Sequence, residues 1–360
     1  MPPKAIVLPR LEGFLNAGGC SLPGVVSMNT KLVAAAVVVI IVAAAAGVLL
    51  TRHREEENLT LIRYGGQYYP GEFLLYGLGK EFWEKYGIEV DHIIFSSAGE
   101  SNNALISGTI DVNCGADTRT VALFNSIPDQ ALIIGTVQRG NRYSTVVAVD
   151  SPYKTWEDLK GKKIGIKLGT GAEGVLRKYF AREGLNWEDY QWVNMNVEDM
   201  IANLQQGTID AFHAWEPTPA IAEANGVGRI LRTYGDVALV PASIHTTKKF
   251  AEEHRDAIVR FLAAHLEKAE MIKNDPDKAA EIAARAASEK GLSVPAEAFK
   301  KIFQRIDFQI DFNQTVIDAI KDTAEFLKSQ GKIDKVPQLA WDRSYIEEAE
   351  KLYEKMKKKG

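Results

Sequence analysis

The sequence predicts an α/β protein of two similar lobes behind an N-terminal membrane helix, and three observations carry that expectation. The tetrapeptide Gly-Thr-Ile-Asp occurs at Gly108–Asp111 and again at Gly207–Asp210, each copy joining an amphipathic run to a short apolar strand. Helical and strand periodicities alternate from residue 59 to residue 240, the order that gives a mostly parallel sheet with helices on its faces. From Leu32 to Leu50 every residue is apolar, Ala or Gly, long enough to cross a bilayer as a helix.

Residues 1–31 form a lead with Pro2, Pro3, Pro9 and Pro23 and no periodic pattern, within which Met28 opens a short basic stretch and is an alternative start. Residues 32–50 are a transmembrane anchor or a signal segment, and residues 51–58 a charged linker. The apolar run continues past the small residues Ala44–Ala46 to Leu50, beyond the core of a cleaved signal peptide, which favours an uncleaved anchor. Lys31 precedes the run and Arg52, His53 and Arg54 follow it, so loop charge does not orient it. The sequons Asn58-Leu-Thr60 and Asn313-Gln-Thr315 fit a soluble part outside the cytoplasm.

At 360 residues the chain has room for two domains, and its formal net charge of −4 gives no electrostatic reason to expect a nucleic-acid partner. Cys20 and Cys114 fall on either side of the apolar run, so no disulfide or thiolate metal framework is expected, and Cys114 reads as a small buried apolar residue. His92, His213, His245, His254 and His265 are scattered without H-E-x-x-H spacing, and no Gly-x-Ser-x-Gly elbow is present. The expectation is a binding protein with no catalytic residue, cofactor or metal.

The soluble part opens with a strand at Leu59–Arg63, a Gly-rich aromatic loop at Gly65–Gly71 and a single helix from Glu72 to Tyr86, stopped by Gly87. A strand follows at Ile88–Phe95, then a helix to Ser107, and Gly108 ends it in a left-handed cap. The first repeat strand ends in Gly115-Ala-Asp-Thr118, and a helix to Phe124 and a strand at Ala131–Val137 close that half. The second half runs from a strand at Ser144–Val149 through Ile164–Ile166, the helix Val175–Arg182 and Trp192–Asn194 to a second repeat strand, whose tip is Ala214-Trp-Glu-Pro217. Beyond Pro241 the chain is helical, with amphipathic runs at 254–273, 276–289, 295–305, 314–330 and 344–358 that wrap one lobe.

In open α/β sheets ligands sit beyond the carboxyl ends of the strands, so the expected site lies between the two repeat tips. Asp117 and Thr118 come from the first tip, with helix capping as their other reading. Trp215, as a flat wall, and Glu216, as an acceptor, come from the second, with core packing as the rival role for Trp215. Gln67, Tyr68 and Tyr69 lie in the first strand's exit loop, where two rings can sandwich a planar group. Ser97 and Gly99 open one helix. Gly169 and Thr170 precede another, where backbone N–H groups suit an oxyanion unless the segment is a plain tight turn. The ligand's sign stays open, because Asp117, Glu216 and Glu100 disfavour a bare anion while Arg119, Arg139 and Arg142 compensate.

Trp156-Glu-Asp-Leu-Lys-Gly-Lys-Lys-Ile-Gly-Ile166, the Gly169–Gly174 loop, Gly207–Ala211 and Ala214–Pro217 stand in a characteristic order, joined by Ser96–Gly99, Gly108–Asp111, Gly115–Thr118 and Phe250–His254. In that order they resemble the substrate-binding proteins of ABC importers for aliphatic sulfonates, taurine, nitrate and thiamine precursors, over about residues 59–340. The resemblance implies a type II periplasmic-binding fold, with lobe 1 at 59–145 and 241–360, lobe 2 at 146–240, and a hinge near 143–147 and 239–243. It further implies a monomer outside the cytoplasm that captures a small polar organic molecule of sulfonate, taurine or nitrate type by hinge closure. A permease and an ATPase would be its partners, with the membrane reached through the N-terminal helix. A thiamine pyrimidine precursor is the alternative ligand. The alternative of another class is a thiamine-pyrimidine synthase, whose cysteine-rich iron motif the solitary Cys114 does not match.

Overall fold

The structure, a computed structural model, describes residues 59–95 and 98–358. The apolar run at 32–50, the linker and Ser97 lie outside the described residues. Among the described residues no helix is long and apolar enough to cross a membrane.

Two sheets organise the fold. The first contains β1 (Thr60–Gln67), β2 (Ile88–Phe95), β3 (Val112–Ala116), β4 (Ala131–Gly140), β10 (Ala242–Thr247) and β11 (Ile306–Asp307), in the order β11-β4-β10-β3-β1-β2. The second contains β5 (Tyr143–Ala148), β6 (Lys163–Ile166), β7 (Gln191–Asn194), β8 (Ala211–Trp215) and β9 (Gly228–Thr233), in the order β7-β6-β8-β5-β9. Three neighbours in each sheet are parallel, β2-β1-β3 and β7-β6-β8. Next to them lies an antiparallel strand, β10 in one sheet and β5 in the other, and beyond it β4 or β9. Both β5 and β10 are the first strands made after the chain changes sheet.

The repeated tetrapeptide does the same work in both sheets. Gly108 and Gly207 take φ values of 73° and 69°, the left-handed conformation that costs glycine least. Each lets the chain leave its helix, and the next residue, Thr109 or Thr208, donates its N–H back to Ala104 at 2.9 Å or Asn203 at 3.0 Å. Ile110 and Ile209 then plug the core at 1% and 2% exposure. Asp111 accepts the backbone N–H of Arg63 at 2.9 Å, and Asp210 accepts that of Lys163 at 3.0 Å. The carboxylate therefore fixes β3 on β1 and β8 on β6.

Two sequence expectations are corrected. The first strand runs on to Gln67 instead of ending at Arg63, because Gly65 and Gly66 lie flat under the neighbouring elements. A Cβ would lie 2.5 Å from Ile110 Cδ1 at Gly65 and 2.5 Å from His92 Nε2 at Gly66, so glycine here reports close approach and not a loop. The single helix from Glu72 to Tyr86 is two, α1 (Pro70–Gly77) and α2 (Gly79–Glu84), broken at Gly79 with φ 74°. Gly77 allows the backbone of Ile282 so near that a Cβ would sit 2.9 Å from its carbonyl oxygen.

The remaining helices are α3 (Ala98–Ile106), α4 (Asp117–Ser126), α5 (Gly171–Glu183), α6 (Val197–Gln205), α7 (Thr218–Ala224), α8 (Lys248–Glu253), α9 (Arg255–Asn274), α10 (Pro276–Glu289), α11 (Ala296–Arg305), α12 (Gln314–Ser329) and α13 (Ser344–Lys357). Trp83 stacks on Phe261 at 5.4 Å in the core of the first sheet, while Trp156, Phe180 and Tyr190 fill one face of the second. The alanine-rich face of α10 and the phenylalanines of α11 form a separate cluster, which includes Phe73 from α1 and Ala220 from α7. That cluster ties helices of both sheets together. Under α1 the first sheet also buries Glu72 and Lys268, both 0% exposed. Burial alone would raise the Glu72 pKa, but His92, whose Nε2 stands 3.4 Å from Oε2, and the charge of Lys268 outweigh it and hold the carboxyl down at about 2.

Candidate functional site

The site is framed by the two chain crossings. Between β4 and β5 the chain crosses at residues 141–142, and between β9 and β10 it returns through 234–241. The two connections are tied side by side. Gly140 donates its N–H to Leu239 at 2.7 Å, Gly235 donates to Asn141 Oδ1 at 2.7 Å, and Arg142 Nη1 donates to the Val240 carbonyl at 2.7 Å. Val240 itself has φ 40°, a left-handed conformation that a β-branched residue holds only when its surroundings over-determine it.

Beside this joint lies a cavity of about 270 Å³, lined by residues of both sheets' peripheries. Asp117 and Thr118 come from the tip of β3, and Thr170, Gly171, Gly174 and Lys178 from the start of α5. Residues 237–240 of the returning crossing form one wall, and Thr315, Asp318, Asp322, Thr323 and Phe326 of α12 another. Gly171 makes room for Tyr143, because a Cβ there would lie 2.5 Å from the Tyr143 hydroxyl. Burial pushes the phenol of Tyr143 up to about 12, so it meets α5 as a neutral hydroxyl.

Of the residues singled out in the sequence, Asp117, Thr118 and Thr170 line this cavity, and Gly169 opens on a neighbouring depression with Thr118. Asp117 is 2% exposed and fully engaged. Its Oδ1 accepts the N–H of Thr118 at 2.8 Å, and its Oδ2 accepts the hydroxyl of Thr323 at 2.7 Å. Thr170 turns its hydroxyl to the Lys167 carbonyl at 2.7 Å, and Gly169 donates its N–H to Glu173 at 2.7 Å. Gln67 and Tyr69 brace the tip of β3 from behind. Gln67 Nε2 donates to the Cys114 carbonyl at 2.6 Å, and the Tyr69 hydroxyl accepts the N–H of Ala116 at 3.0 Å.

Four others lie elsewhere. Tyr68 turns towards Phe73, 5.6 Å between ring centroids, and packs on the helical cluster. Gly99 stands half-buried in the first turn of α3. Trp215 is half-buried between the two apolar clusters of the second sheet. Glu216 is paired with Arg305 at the end of α11 and accepts the N–H of Ala220 at 3.0 Å, while Arg305 also reaches Glu223 at 2.5 Å. Burial outweighs the guanidinium here and lifts the Glu216 carboxyl to about 7. The carboxylate read as a ligand acceptor is thus committed to a tie between α11 and the β8–α7 turn.

The sequence reading missed Lys178, the 237–240 wall and the whole face of α12. A signal was present for α12, since Thr315, Asp318, Asp322 and Phe326 follow at intervals of three and four and share one helix face. Cys114 is fully buried and burial pushes its thiol well up, which leaves it inert as a nucleophile. Among the described residues no group of three or more His, Cys, Asp or Glu is placed to hold a metal ion.

Two α/β sheets in this duplicated order, joined by a paired crossing beside a cavity, define the periplasmic-binding-protein class of fold. The NMT1/THI5-like family profile matches residues 72–279, and the chain belongs to that family. The chain is 27% identical to the taurine-binding periplasmic protein of Escherichia coli over 275 residues, 71% of this chain and 82% of that protein. It is 25% identical over 210 residues to a binding protein of Brucella abortus, a match that spans 64% of that relative's length. Among solved structures it is similar to the periplasmic aliphatic sulphonate binding protein SsuA of Escherichia coli, with a TM-score of 0.68 at 22% identity over 77% of this chain and 89% of that one. The desulfurization enzyme DSZB shares the fold at 15% identity, with a TM-score of 0.62 over 82% of this chain and 99% of that one.

Proposed function

We propose that this chain is the solute-capturing component of an ABC importer, which binds a small polar organic molecule between two lobes and presents it to a permease and its ATPase. One lobe comprises residues 59–145 and 241–360 and the other 146–240; the run at 32–50 anchors them outside the cytoplasm. The observation that carries the reading is the cavity beside the crossing, because its walls come from the start of α4 and from α12 on one side and from α5 on the other. A solute held there touches both lobes and stabilises the closed arrangement by its differential contacts. Asp117, Thr118 and Thr170 contribute to the site directly, while Gln67 and Tyr69 position the β3 tip. The relatives named for taurine and aliphatic sulfonates support a ligand of that size and polarity.

A thermal-shift screen of the purified chain against taurine, alkanesulfonates, nitrate and hydroxymethylpyrimidine tests this. A ligand that binds only the native state raises its melting temperature, and Ala319→Trp, which fills the cavity, abolishes that rise. Turnover of a bound compound by the purified protein sinks the reading in favour of an enzyme such as DSZB.

A further inference from the structure

The outgoing crossing at residues 141–142 is spanned by an ion pair that stands apart from the cavity lining. Arg305 ends α11, and the next residue, Ile306, opens β11 and pairs with Gly140 at the end of β4. Glu216 follows β8 and donates its N–H to the Arg142 carbonyl at 2.9 Å. One partner is therefore fixed to the first sheet just before the crossing and the other to the second sheet just after it. Arg305 holds Glu216 through Nη1 and Glu223 of α7 through Nη2, the latter at 2.5 Å. The side chains of Arg305 and Glu216 are 15% and 1% exposed, so salt screens the pair little. Beside it Ala220 of α7 is fully buried in one cluster with Phe299 and Phe303 of α11.

From this geometry, and resting on the two lobes of the solute-capture reading above, we infer that Arg305 is a hinge brace: its fork onto Glu216 and Glu223 holds the lobes at the closed angle and has to release before they open. Rotation about residues 141–142 leaves the ladders of both sheets intact but moves the guanidinium relative to the two carboxylates. A charge-assisted fork keeps its strength only in close, aligned contact. Opening also strands Glu216 without its cation at a buried position. The brace works without a solute, so it raises the share of molecules already in the closed arrangement and lowers what a solute has to supply on capture.

Double electron–electron resonance on the purified full-length chain reads the angle with no solute present. Glu188 and Glu281 are exposed, one on each lobe, and carry the labels as Glu188→Cys and Glu281→Cys with Cys20→Ser, while Cys114 is buried. The measurement is made above pH 7, where the lifted Glu216 carboxyl is ionised. The expected result is one dominant distance in this parent chain and a second distance in about 10% or more of the molecules in Arg305→Met. Arg305→Lys keeps the charge without the fork and should fall between the two. If Arg305→Met folds poorly, the double variant Arg305→Met, Glu216→Gln, which leaves no unpaired charge at Glu216, decides the matter by the same second distance. A folded double variant that keeps the single parent distance overturns the inference, and so does a parent chain that already shows both distances equally. A second distance in the variants with no compound passing the thermal screen counts against solute capture and leaves the brace standing. A screened ligand with one distance throughout does the reverse.

Discussion

Arg142 donates from Nη1 to the carbonyl oxygen of Val240 at 2.7 Å, which ties the outgoing crossing to the returning one at the residue with the left-handed φ of 40°. Arg142 is 4% exposed, and its guanidinium carbon stands 5.2 Å from the Tyr69 ring and 5.8 Å from that of Tyr143. Arg142→Met keeps the apolar stem and removes the donor, leaving a buried carbonyl unpaired, which costs about 1–3 kcal/mol. Urea denaturation measures it, and a change under about 0.5 kcal/mol shows the bond to be idle.

Gly108→Ala and Gly207→Ala should cost the same, about 1 kcal/mol each. Nothing lies within 4 Å of a Cβ at either position, so the penalty is purely one of backbone conformation. The sites are in separate sheets and their costs add in the double variant. Unequal or coupled costs would show that the two copies are not equivalent devices.

Gly171→Ala tests close approach at the cavity. The new methyl falls 2.5 Å from the Tyr143 hydroxyl, while the ring carbon bearing it stays at 3.4 Å. Affinity for whichever compound the thermal screen identifies should drop by about tenfold as α5 shifts. Tyr143→Phe in the same chain should restore most of it. Failure of that rescue would place the clash elsewhere.

The two buried charges under α1 offer a sharper contrast. Lys268→Met leaves Glu72, at 0% exposure, with His92 as its one remaining lowering neighbour of the two named above and should cost about 2–4 kcal/mol. Adding Glu72→Gln should recover most of that loss, because the charge as well as its partner is then gone. A double variant as unstable as the single one would mean that packing of the lysine stem, and not charge, was lost.

Two opposing pH dependences follow from burial. The imidazoles of His213 and His245 are pushed from 6.5 to about 3, so their contribution is complete above pH 6.5 and lost as pH falls towards 3. The ceiling is on the order of 5 kcal/mol for each. Glu216 is raised from 4.5 to about 7, so its contribution is present below pH 4.5 and lost as pH rises through 7. Denaturation midpoints between these values should therefore rise more steeply with pH in Glu216→Gln and less steeply in His245→Gln. The reverse order of slopes would refute the assignment.

Much of the fold was legible because the repeated tetrapeptide and the alternating periodicities are local signals. Gly108, Ile110 and Asp111 each do what their residue type dictates, and so do Gly207, Ile209 and Asp210. The site was less legible, since its walls are joined only in three dimensions. Asp117 and Thr170 could be placed at strand tips, but nothing near Glu216 in sequence announces Arg305, which lies 89 positions away. Gly65 and Gly66 misled in the other direction, because glycine that admits a neighbour's side chain is indistinguishable in sequence from glycine that makes a turn.

The place of β10 also dictates an order of assembly. β10 lies between β3 and β4 in the first sheet, yet it is made only at residues 242–247, after the whole of the second sheet has been synthesised. The five strands of the second sheet come from one uninterrupted stretch, residues 143–233. During synthesis that stretch has all its partners while β3 and β4 still expose unpaired edges. The inserted sheet is therefore free to form as an early, self-sufficient nucleus, and the older half of the chain waits, open at its centre, for a strand that only the far side of the insertion can deliver.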